Sequence, residues 1–146
     1  MHDHHYRNLL IMTVLSFVSM YIFMYAMVNA FANVYSHLNQ VYMAGLMTAP
    51  MVLIELAVMR SMYKNAMANI AIAAISVVAL LAFFAAIQQQ TAIGDTQLLR
   101  SMIPHHAGAI LMCEEASLED AELKTLCAGI IEDQRSEIAV MESQTG

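Results

Sequence analysis

The sequence predicts an all-α membrane protein: three transmembrane helices, then an antiparallel two-helix hairpin outside the bilayer. Three observations predict it. The 146 residues are 60% hydrophobic and 12% charged, with a mean hydropathy of +0.59, whereas a soluble domain carries about 25% charge. That is more apolar surface than a globule of this length can bury, so part of it faces lipid. Charge is also segregated: residues 1–87 hold two acids and three bases, whereas residues 88–146 hold ten acids and three bases. Finally, the first part contains three long apolar runs and the second part has helical periodicity.

The first span, 8–31, has 24 residues without a formal charge, enough at ~1.5 Å per residue to cross a ~30 Å hydrocarbon core. Ala30, Phe31 and Ala32 form an A-x-A-like cleavage sequence behind it. The apolar run exceeds the roughly 7–15 residues of a signal h-region, however, so an uncleaved helix is the better reading. The second span, 41–59, contains Pro50 and Glu55, and the third, 66–87, is uncharged. Residues 1–7 form a short tail that carries His2, Asp3, His4 and His5, a possible metal-binding or disordered segment.

Basic residues set the orientation. Arg7 precedes the first span and Arg60 and Lys64 separate the second from the third, while residues 32–40 hold no base. The positive-inside rule then puts the N-terminus in the cytoplasm. Residues 88–146 fall outside an inner membrane, in the periplasm where a cell has one. Tyr6, Tyr35, Tyr42 and Tyr63 stand at span ends, where interfacial aromatics belong. The outer module carries a formal charge of −7, from ten acids and three bases. That disfavours a nucleic-acid backbone as partner and favours cations.

In residues 88–146, Gln88–Thr91 form a polar exit and Asp95 is an N-cap candidate. Leu98, Met102, His105, Ala109, Met112 and Ala116 recur at spacings of four and three, one face of a helix. A bend or helix start is expected near Pro104. Asp120 caps a second helix whose stripe is Leu123, Cys127, Ile130, Gln134, Glu137 and Met141. A turn near residue 120 pairs positions whose numbers sum to about 240. His105 and His106 are then level with Gln134 and Arg135, Met102 with Ile138, and Cys113 with Cys127. Such a hairpin has too small a core to stand alone, so the anchor or a second copy, as a homo-oligomer, must complete it.

The run from Met102 to Met112, MIPHHAGAILM, contains an uncommon adjacent His pair. Together with Gln134, Glu137, Ile138 and Met141 downstream, it resembles the family called domain of unknown function 305. That family's pattern joins a Met, an HH pair, an Ala and a Met to a Q-x-x-E-I-x-x-M ending. The resemblance spans roughly 95–142 and none of the membrane part. It implies a ferritin-like hairpin that pairs into four-helix bundles, and an association with copper outside the cytoplasm. The Glu-x-x-His pairs of ferritin-like di-iron sites are missing, which disfavours an oxygen-activating iron enzyme. No other enzyme signature stands out.

Imidazole and thioether suit copper, with Met favouring Cu(I). The main site expected is His105, Met102 and Met112, with His106 and Met141 in support or from a second chain, and Glu137 in the same set. The bland alternative makes the Met residues ordinary core and gives the His pair hydrogen bonds to Gln134 and Glu137. Met20, Met24 and Met27 on the first span, and Met43, Met47 and Met51 on the second, form M-x-x-x-M-like steps. They resemble those of three-span copper importers in spacing only, and helix packing explains them equally well. Glu55 sits just inside the second span, for ion passage or paired with Arg60 or Lys64 as an anchor. Cys113 and Cys127 are disulfide candidates, with free thiols or soft ligands as alternatives.

The function expected is extracytoplasmic copper binding on a membrane anchor, for tolerance or delivery to copper-handling proteins. A structural, self-assembling membrane protein with the His pair as a polar clasp, or a Met-lined copper pore, are the rivals.

Overall fold

A computed structural model describes residues 3–145, and within it the chain is all-α. Five helices follow in order: α1 (Asp3–Phe23), α2 (Leu38–Val58), α3 (Ala66–Gln88), α4 (Asp95–Glu115) and α5 (Ala121–Thr145). Two short 3-10 turns, Met24–Met27 and Phe31–Asn33, lie between α1 and α2. The chain divides into two units: the residues up to Phe23 with Asn39–Thr91, and Met24–Leu38 with the residues from Ala92 onward.

The first unit contains the three helices long and apolar enough to cross a membrane. Its α2 buries a face of small and medium side chains, Ala44, Gly45, Thr48, Ala49, Val52 and Leu56, together with Gln40. Small residues let helices approach where lipid supplies no hydrophobic drive between them. Gly45 is the tightest point, because a Cβ there would collide with the Phe83 ring of α3. Thr48 is satisfied within its own helix, donating to the Ala44 carbonyl at 2.7 Å. Leu9, Val52, Leu56 and Tyr63 form a small core at one end. There Tyr6 donates to Asn69 Oδ1 at 2.9 Å, and Asn69 Nδ2 donates to the Tyr63 carbonyl at 2.7 Å.

Local chemistry accounts for the ends of α3. Asn65 caps its start by accepting from Ala68 N–H at 3.1 Å. At the other end Gln90 N–H bonds Ile87 O and Thr91 N–H bonds Ala86 O, the two bonds of a Schellman motif. Gln90, at φ 48°, takes the left-handed position that glycine usually fills. Its side chain exchanges hydrogen bonds with Asn39.

The second unit is an antiparallel hairpin of α4 and α5, covered on one side by residues 24–38. Asp120 caps α5 by accepting from Leu123 N–H at 2.9 Å. Ile103, Ala107, Ile110 and Ile138 form the core, with Ile131, Met141, Val28 and Tyr35 packed around it. Tyr25 donates to the Tyr35 carbonyl at 2.8 Å, closing the covering loop. Part of the core that a bare hairpin lacks thus comes from this loop.

Within the predicted first span the α-helix stops at Phe23 and a 3-10 turn continues to Met27, so the membrane-length helix runs His4–Met27, and Val28 beyond it packs on the hairpin core. Three expectations need correction. The α4 stripe faces outward, with Leu98 47% and Met112 56% exposed, while the buried face is Ile103, Ala107, Gly108 and Ile110. Periodicity gave a face, and the loop and α5 selected a different one. Gly94, not Asp95, is the N-cap of α4, and no side chain caps it. The helix start expected near Pro104 lies nine residues upstream at Asp95, and Pro104 is inside the helix.

Candidate functional site

The cleft between α4 and α5 contains most of the expected ligand set. Met102, His106, Ser136, Glu137, Val140 and Met141 line an open space of about 330 Å³. Met102 and His106 stand one turn apart on α4, and Glu137 and Met141 one turn apart on α5, so four donors come from two rigid elements. The His106 ring is held at both ends. Nδ1 lies 2.8 Å from the Met102 carbonyl, and Nε2 lies 2.8 Å from Glu137 Oε2. A carbonyl can only accept, so Nδ1 carries a proton, and Nε2 is the nitrogen whose lone pair is open to a metal once it is deprotonated. The His106 side chain is 12% exposed and that of Glu137 56%, so the pair sits at a protected edge with a wet side.

The set offers one imidazole nitrogen, one carboxylate and two thioethers. Among the described residues no three His, Cys, Asp or Glu gather as a metal cluster. The two thioethers beside the imidazole and the carboxylate are soft donors, of the kind that suits Cu(I) among the common ions.

The other expected ligands lie elsewhere. His105 is exposed, its ring 6.0 Å from that of His106 between centroids. Met112 is ten residues beyond Met102, about 15 Å along the helix axis. Met102, His105 and Met112 therefore cannot close on one ion within one chain. The ten-residue spacing already implies this separation, since a shared stripe fixes direction around the helix and not height along it. Ser136 and Val140 line the cleft without any motif having pointed to them; their proximity comes from hairpin register.

The methionines of the spans are divided. Met20 belongs to the first unit, where Thr48 Oγ1 approaches its sulfur at 3.5 Å, while Met24 and Met27 belong to the second. Met43 and Met47 lie on the exposed side of α2, opposite its buried small-residue face, and Met51 is half-buried. Neither unit collects the two sets into one path. Glu55 accepts from the Tyr63 hydroxyl at 3.2 Å, and no ion pair joins it to Arg60 or Lys64. Burial, and then this hydrogen bond, push the Tyr63 phenol above its ordinary range. In the N-terminal tail His2 and the Asp3 side chain lie outside the described residues; His4 is exposed and His5 half-buried.

Cys113 and Cys127 are joined as a disulfide with their Cα atoms 5.3 Å apart. The bridge lies toward the turn of the hairpin, seven residues from His106 on α4. It pins the register on which the cleft depends.

A family model described as a domain of unknown function (DUF305) matches residues 55–145. The chain belongs to the DUF305 family. The match begins at Glu55, so the DUF305 domain includes the end of α2 and all of α3, and the resemblance is not confined to residues 95–142. The chain is also 33% identical over 138 residues to an uncharacterized protein, L153, of Acanthamoeba polyphaga mimivirus, covering 92% of this chain and 89% of the relative. Similarity to this relative therefore reaches the apolar helices. No solved structure matches the chain.

Proposed function

We propose that this DUF305 protein is a membrane-anchored copper-binding protein that holds Cu(I) on its hairpin for tolerance or for delivery to copper-handling proteins. The observation that carries this reading is the convergence of Met102, His106, Glu137 and Met141 on one cleft, with His106 oriented through Nδ1. The thioethers favour Cu(I), and Glu137 adds a harder donor for the moment of transfer. Copper is cargo here, and no catalytic step is assigned. The acidic module favours a cation over an anionic partner.

Three apolar helices supply the anchor, and Arg7, Arg60 and Lys64 argue for a cytoplasmic N-terminus and an extracytoplasmic hairpin, in the periplasm of an inner-membrane protein. Self-association completes the hairpin, in the ferritin-like arrangement that the resemblance implies. Metal analysis of protein purified from copper-supplemented cells tests the reading. Copper retained by the native chain and lost in His106→Ala is the expected result, and a native chain without copper would overturn it.

One observation favours a second reading, a structural clasp. The direct His106–Glu137 contact satisfies both groups without a metal. Under that reading His106→Ala loosens the hairpin and changes no copper affinity.

A further inference from the structure

The outward face of α4 is the strongest feature that the fold leaves uncovered, and of its stripe Met102 also borders the cleft. Leu98, Met102, His105, Ala109, Met112 and Ala116 follow at spacings of 4, 3, 4, 3 and 4, the repeat of a helix-packing seam. Leu98 and Met112 are 47% and 56% exposed, His105 and Ala116 are exposed, and Met102 and Ala109 are half-buried. From Thr96 to Cys113 the only formal charge is Arg100. It stands two residues from Leu98, about 200° around the helix, and its Nε is buried. A solvated helix face normally carries charge, and this one carries none.

The spacing reads the same from either end, with its centre at Ala107. We propose that this stripe is a self-association seam along which α4 packs antiparallel against α4 of a second copy. Turning one copy end for end lays each stripe position on another: Leu98 on Ala116 of the partner subunit, Met102 on Met112 of the partner subunit, and His105 on Ala109 of the partner subunit. Bulky side chains then meet small ones in two of the three kinds of pair. The flexible methionines fill the third. A parallel pairing sets His105 against itself and leaves gaps between facing alanines, so the antiparallel register packs better. The arrangement is isologous and closes at two copies.

A second copy suits this face better than a lipid surface does. An interfacial helix brings Lys and Arg to the headgroups, and the stripe has neither, on a module with ten acids and three bases. One helix pair is short of the roughly 800 Å² per partner of a standard interface. Association is therefore expected to be weak when diluted in detergent and to fill by mass action where chains are concentrated in a bilayer. The inference rests on the self-association in the proposed function and on none of its metal chemistry.

Cross-linking of the full chain in lipid vesicles, with a copper chelator present, tests it. A short bismaleimide reacts with introduced cysteines while Cys113 and Cys127 remain bridged. A mixture of Met102→Cys and Met112→Cys chains is expected to cross-link efficiently, and each variant alone at least tenfold less. His105→Glu, exposed in the single chain, should lower the mixed product at least tenfold, and Leu126→Glu on α5 should leave it unchanged. Self-cross-linking of Met102→Cys alone would overturn the antiparallel seam while leaving self-association standing. Absence of any cross-link, with single-chain particles by mass measurement in the same lipid, would overturn both. Copper content does not enter either result.

Discussion

Nε2 of His106 on α4 lies 2.8 Å from Oε2 of Glu137 on α5, thirty-one positions away in sequence. The contact makes His106, and not its neighbour His105, the imidazole that faces the second helix. It also separates the two members of the HH pair by role: one closes the cleft, the other lies on the outer stripe.

The first prediction follows from that separation. His106→Ala should weaken Cu(I) binding by at least tenfold, and His105→Ala should change it less than threefold. Glu137→Gln, which removes the carboxylate donor and leaves His106 oriented by the Met102 carbonyl, should fall between them. Competition against a Cu(I)-specific chromophoric chelator measures all three. Equal losses in the two His variants would contradict the assignment of roles.

The disulfide supplies the second. Cys113 and Cys127 are 14 positions apart, and closing a loop of about 15 residues is worth about 3 kcal/mol in the chain-entropy model. Cys113→Ser should lower the stability of the hairpin by that order. Unfolding of α4 and α5, followed by hydrogen exchange with and without reductant, is the measurement. Reductant should destabilise the native chain and leave Cys113→Ser unaffected.

Gly45 carries the third. A Cβ at this position meets the Phe83 ring, and overpacking of this kind costs about 1–3 kcal/mol. Gly45→Ala should therefore lower thermal stability in detergent, and Phe83→Leu in the same chain should restore part of it. Additive losses in the double variant would show that the two positions do not touch.

The fourth concerns backbone strain. Ala92 has φ 58° in the connection before α4, a conformation that costs a residue with a Cβ about 1–2 kcal/mol. Ala92→Gly relieves it, less the extra freedom glycine has when unfolded. The net gain should be up to about 1 kcal/mol by chemical denaturation, and Ala92→Val should lose stability instead.

The apolar runs, the charge segregation and the cap at Asp120 are local or compositional properties, and they were readable before any contact was known. A chain with this much apolar surface needs lipid-length helices, and a short turn makes α4 and α5 antiparallel whatever else happens. The helical repeat of α4 was equally legible, but which side of it is buried was not. Several faces of that helix are apolar enough to be covered, and the choice fell to Val28 and Tyr35, which lie roughly seventy positions or more upstream of the core they pack against. The same long-range packing divided the methionines of the first predicted span between two units. His106 was chosen over His105 for this reason as well. Two adjacent residues on a helix point about 100° apart, so a rotation of the buried face, invisible to spacing, decides which of them meets Glu137.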